Sequence, residues 1–96
     1  MFDEFRDFKV YMEEIRCICE ELGYEKDWSR GGCYMHLEVS EFIEALRGKG
    51  DPIEELGDVL FTVLAVAEYY NIDPIQAIKM NHKKLGERIE DGRRQT

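Results

Sequence analysis

Positive charge is scarce in this chain: 13 Lys and Arg stand against 21 Asp and Glu, a formal net charge of −8 over 96 residues. Phosphate backbones and anionic membranes are bound by clustered Lys and Arg, so this balance opposes nonspecific binding to either. Long apolar runs are missing too. The longest uncharged apolar stretch, Val59 to Ala67, is far too short to cross a bilayer. The opening MFDEFRDFK is charged and amphipathic and has no secretory signal pattern, so a cytoplasmic protein is expected. There is no internal repeat, low-complexity tract or glycine-rich phosphate loop, and Gly48-Lys49-Gly50 lacks the P-loop pattern.

Cysteine is limited to Cys17, Cys19 and Cys33, an odd number that suits reduced thiols. On a helix, Cys17 and Cys19 point to nearly opposite sides, which places them poorly with Cys33 and His36 for zinc. Proline occurs only at 52 and 74, each time directly after an aspartate. Asp-Pro followed by Glu54 or Gln76, three residues after the aspartate, reads as an N-cap, a first helical position and a capping partner. Two helix starts are thereby set.

The remaining elements follow from periodicity. Phe5, Phe8, Met12, Ile15, Cys19 and Leu22 form one stripe at 3,4 spacing, giving a first helix over residues 3 to 22 that ends at Gly23. Residues 23 to 34 read as a loop holding the single tryptophan. A second helix over about 35 to 47 has the stripe Met35, Val39, Phe42, Ile43 and Leu46, with Ala45 beneath its acids and Glu44 turned to solvent. A third runs to about Tyr70 and is apolar nearly all round after Asp58. A fourth has the core stripe Ile75, Ile78, His82, Leu85 and Ile89. The expectation is an all-α four-helix bundle, one domain over 1–96 with its core in about 3–90. It is completed by oligomerisation as a homodimer or a dimer of dimers, with the third helix near the interface. Gly57 costs that helix about 1 kcal/mol against Ala, and close approach of a neighbour would account for it.

Two acidic pairs carry the chemistry. Glu38/Glu41 and Glu55/Asp58 each have i, i+3 spacing, which puts both members on one helix face. The breaker Gly48-Lys49-Gly50-Asp51-Pro52 lies between them. If it folds the chain into an αα-hairpin, 38 falls opposite 58 and 41 opposite 55, each pair roughly 10 Å from the bend. Four carboxylates then converge. Convergence is costly without a positive charge, and a hard divalent cation such as Mg²⁺, with Mn²⁺ as a substitute, removes that cost. Glu55 is flanked on the wheel by Val59, Thr62, Val63 and Val66, which argues against an ordinary solvated face.

ExxE, a short turn and then Glu55-Leu-Gly-Asp58-Val-Leu resembles the MazG-like branch of the all-α NTP pyrophosphatases over roughly residues 35 to 90. It departs at Leu37, where many members carry a further glutamate. The resemblance implies a magnesium-dependent nucleotide pyrophosphohydrolase cutting (d)NTP between the α and β phosphates to (d)NMP and pyrophosphate, in the clearing of abnormal or surplus nucleotides. Glu38, Glu41, Glu55 and Asp58 would be metal ligands, and a spare carboxylate, Glu38 or Glu41, would orient or deprotonate the attacking water. A stripe of Asn81, Lys84 and Arg88 beside the core of the fourth helix is similar to the family's element after the acidic motifs and implies substrate contacts. In the loop, Trp28 could stack on a base and Arg30 meet phosphate, or Trp28 could plug the bundle's end.

Three alternatives stand beside this reading. Phosphoribosyl-ATP pyrophosphohydrolase has a related fold, but the histidine expected shortly after its aspartate is missing from ELGDVLF. A di-iron bundle wants Glu-x-x-His, and neither His36 nor His82 has a glutamate three residues earlier. A non-enzymatic helical dimerisation module would keep the fold and lose the metal.

Overall fold

Four helices account for nearly all of the described residues. The computed structural model describes residues 4–23 and 31–95. The helices are α1 (Glu4–Leu22), α2 (Gly31–Leu46), α3 (Pro52–Tyr69) and α4 (Pro74–Gln95), with no strand among the described residues. The all-α class and the helix count are as the periodicity predicts. Helix α2 begins earlier than expected, taking in residues 31–34, because extending an existing helix adds a hydrogen bond per residue without a new nucleation cost.

Both aspartates cap a helix that opens on proline, as the sequence implies. Asp51 Oδ1 accepts from the Ile53 amide at 3.0 Å, and Asp73 Oδ1 accepts from the Ile75 amide at 2.9 Å. The α2–α3 turn depends on two glycines with positive φ, Gly48 at 94° and Gly50 at 143°. A Cβ on Gly50 would also lie 3.6 Å from the Ala45 Cβ. Glu44, expected in solvent, is half-buried and bridges this turn, 3.1 Å from Arg47 and 3.6 Å from Lys49.

Helix α3 is the centre of the molecule. It packs against α2 along the hairpin and against α1 on another side. The small core consists of Met12, Ile15, Cys19 and Ala65, with Phe8, Phe61 and Leu64 against it. The stripe read for α1 is therefore the core stripe at Phe8, Met12, Ile15 and Cys19, while Leu22 stays 58% exposed. Cys17 is exposed and Cys19 buried, so they do face different ways.

The apolar stripes of α2 and α4 behave differently from expectation. On α2 the face toward α3 carries Met35, Glu38, Phe42 and buried Ala45, while Val39, Ile43 and Leu46 remain exposed. The apolar arc of α2 is wider than a single neighbouring helix can cover. On α4, Pro74 and Ile75 are half-buried, but every residue from 76 to 94 is exposed. The expected core stripe Ile78, His82, Leu85 and Ile89 thus has no covering layer among the described residues. Gly57, expected at a close approach, has nothing within 4 Å of where its Cβ would be. No helix among the described residues is long and apolar enough to cross a membrane.

Candidate active site

The glycine turn returns the chain so that α2 and α3 run antiparallel, and this register brings the acidic pairs together. Glu38, Glu55 and Asp58 each offer a carboxylate oxygen, and these three atoms lie within 4.8 Å of one another. Glu38 and Glu55 are half-buried, and Asp58 is exposed at the rim. Glu41 is exposed and stands outside the trio, but its charge contributes to the proton affinity of both Glu38 and Glu55.

The electrostatics of the cluster are unfavourable when it is bare. Glu38 is held above the usual carboxylate range, first by desolvation and then by the charges of Glu41 and Asp58. Glu55 is raised for the same leading reason, with Glu41, Asp58, Glu54 and Glu38 adding to it. Glu38 Oε2 and Glu55 Oε2 are both buried and make no hydrogen bond. A buried acceptor without a donor is costly, and two such acceptors on neighbouring carboxylates call for a shared positive partner. Hard divalent cations take carboxylate oxygens at about 2.1 Å for Mg²⁺ and up to about 2.6 Å for Ca²⁺. Oxygens that share such an ion lie roughly 3 to 5 Å apart, so three that are all within 4.8 Å of one another can share one. The donor set is all oxygen, which suits a hard ion over a thiolate-seeking one. The residues fit a divalent cation.

Sequence reasoning did not single out two features here. Glu54 adds to the negative field at Glu55, a contribution readable from adjacency alone. The Thr62 hydroxyl donates to the Asp58 carbonyl at 2.8 Å, one turn along α3, so its polar atom is satisfied within the helix and is not directed at the cluster. Asn81, Lys84 and Arg88 lie on exposed α4, outside the acidic group. Trp28 and Arg30 lie outside the described residues.

Helix architecture and carboxylate geometry together define a class: all-α proteins that gather acids across an αα-hairpin in a set suited to a hard cation. Residues 32–92 match the family described as the MazG nucleotide pyrophosphohydrolase domain, and the chain belongs to that family. The matched span takes in α3, both acidic pairs and all of α4 but its last turn, while α1 precedes it. No curated protein and no solved structure matches alongside it.

Proposed function

We propose that the protein is a Mg²⁺-dependent nucleoside triphosphate pyrophosphohydrolase that converts (d)NTP to (d)NMP and pyrophosphate, acting on non-canonical or surplus nucleotides. The observation that carries this reading is the trio of Glu38, Glu55 and Asp58, with its two orphaned buried oxygens, on the acidic motifs of a MazG chain. Glu38, Glu55 and Asp58 would hold the cation, with Glu41 at the edge of the set. When bound, the cation supplies charge neutralisation at the phosphate oxygens.

The chain's own groups do the rest. Glu41 is exposed beside the trio, where a carboxylate oxygen can accept a proton from the attacking water. Water adds at the α-phosphorus, the bond from that phosphorus to the bridging oxygen breaks, and pyrophosphate leaves with the bond electrons. Asn81, Lys84 and Arg88 are the candidate contacts to the polyphosphate, and Trp28 and Arg30 to base and phosphate. Helix α1 lies outside the matched span but supplies Met12, Ile15 and Cys19 to the core under α3, which supports one working domain over 1–96. A homodimer or dimer of dimers in the cytoplasm completes the proposal.

The test is pyrophosphate release from a panel of canonical and modified (d)NTPs with Mg²⁺, alongside Glu41→Gln and Asp58→Asn. Release that needs Mg²⁺ and is lost in both variants supports the reading. Release from phosphoribosyl-ATP alone would move the assignment to the histidine-pathway enzyme.

A further inference from the structure

The glycine turn that sets the register of the acids also carries the Lys and Arg of the hairpin. From residue 31 to residue 70 the sequence holds eight Asp and Glu against two cations, Arg47 and Lys49. A divalent cation at the trio would offset two of those negative charges. A nucleoside triphosphate brings more negative charge to the same place, most of it on its β and γ phosphates. A polyanion is held beside carboxylates where fixed cations meet it.

Both cations are gathered on one residue. Glu44 Oε1 accepts from Arg47 Nη1 at 3.1 Å, and Lys49 Nζ stands 3.6 Å from Glu44 Oε2. The Glu44 carbonyl accepts from the Arg47 and Lys49 amides, each at 3.0 Å. Backbone and side chain of Glu44 thus hold the turn and its cations together.

Helix geometry says where they are held. Three residues fall about 60° short of a full turn, so Glu41 and then Glu44 step round α2 from Glu38 in one sense. On α3 the same step separates Asp58 from Glu55. Because the helices are antiparallel, both steps lead to the same side of the hairpin. It is the open side of the trio, where Glu41 and Asp58 are exposed. Residues three apart on a helix have Cβ atoms about 5 to 6 Å apart, so Glu44 stands one such step from Glu41. The trio lies roughly 10 Å from the bend, a gap that a polyphosphate tail and a lysine side chain span between them. Helix α4 packs along neither α2 nor α3, so Arg47 and Lys49 are the cations that the hairpin itself supplies.

A substrate can replace Glu44 as their partner. The side chains of Arg47 and Lys49 are 69% and 76% exposed, and ion pairs this open contribute little. Phosphate oxygens form charge-assisted hydrogen bonds with both head groups.

We propose that Lys49, with Arg47 behind it, forms the site for the β,γ end of the substrate and for the leaving pyrophosphate, with Glu44 as the counter-ion exchanged for phosphate. The substrate then has a direction: its tail points to the glycine turn and its nucleoside to the opposite end of the hairpin. As the bond to the bridging oxygen breaks, negative charge collects on pyrophosphate, and the Lys49 ammonium stabilises it there. This inference rests on the proposed pyrophosphohydrolase reading and adds two binding residues to it.

Calorimetric titration of the full chain with pyrophosphate in Mg²⁺ tests it without turnover. Lys49→Gln should weaken pyrophosphate binding about tenfold or more, and Lys49→Arg should keep most of it. Arg47 lies one further step round α2, so Arg47→Gln should weaken binding less. Glu44→Gln should tighten it by up to about fivefold, since the cations lose their competing partner. Mg²⁺ alone should bind Lys49→Gln at least as well as the parent, because a positive charge has left its neighbourhood. Pyrophosphate binding that is unchanged in Lys49→Gln overturns the proposal. So does a matching loss of Mg²⁺ binding in that variant, which would make Lys49 a support of the turn, and so does a parent that binds no pyrophosphate. A parent that binds pyrophosphate through Lys49 yet hydrolyses no nucleotide keeps the anion site and removes the enzyme reading.

Discussion

Glu38 and Glu55 have conflicting roles as residues. They are the half-buried members of the trio, and in the bare protein their burial favours the protonated form. Their folded proton affinity lies above the ordinary value of 4.5, so the stability linked to it is fully present below that pH and is lost as pH rises through the raised values. In chelator, the melting temperature is therefore expected to fall on going from weakly acidic to neutral pH. Glu55→Gln should flatten that slope and raise the metal-free melting temperature at pH 7, as thermal melts across pH in EDTA would register. With Mg²⁺ present the order reverses: the parent gains stability with ion concentration and Glu55→Gln gains little. In turnover, losing either glutamate should cost roughly a hundredfold or more in kcat.

The acids were the most legible residues in the chain because spacing alone brings them together. A 3-residue gap fixes the face, and a glycine breaker midway fixes the register. Glu41 differs in that it borders the trio without joining it, which no spacing rule separates from its partner Glu38. Trp28 and Arg30 have no periodic frame to locate them.

Among the elements, α3 is the most strongly specified, with an aspartate cap at its start and a left-handed asparagine at its end. Asp51→Ala should cost about 1 kcal/mol, read as a shifted denaturation midpoint. Gly50→Ala should cost about 1 to 3 kcal/mol, since its φ of 143° is strained for any L side chain. It should also weaken Mg²⁺ binding, because the turn sets the register of the acids; titration calorimetry would detect the loss. The starts of α3 and α4 were readable because caps are local chemistry, whereas α2, read from periodicity, begins earlier than expected at Gly31. Which apolar stripe is covered was not: Val39 and Ile43 belong to the same hydrophobic pattern as Met35 and Phe42, yet only the second pair lies toward α3. Periodicity reports that a face is apolar and says nothing of how many neighbours are available to cover it.

At the scale of the whole molecule, the core is small. Ile15 is the largest fully buried side chain among the described residues, at 1% exposure, and Ile15→Ala should cost about 2 to 5 kcal/mol. If the proposed homodimer forms, its melting temperature should rise with protein concentration, as melts over a dilution series would register. The fold class was legible because four stripes and two Asp-Pro starts all point to helices. The exposure of α4 was not, since an amphipathic stripe does not say whether its own bundle covers it.

The central claim is that the trio of Glu38, Glu55 and Asp58 serves metal-dependent pyrophosphate release. The most direct measurement is pyrophosphate release from a (d)NTP panel with and without Mg²⁺, on the parent chain and on Asp58→Asn. The account predicts release of one pyrophosphate per nucleoside monophosphate, dependent on Mg²⁺ and lost in the variant. A folded parent that neither binds Mg²⁺ nor releases pyrophosphate from any nucleotide would contradict it, and a helical dimerisation module would then be the better description.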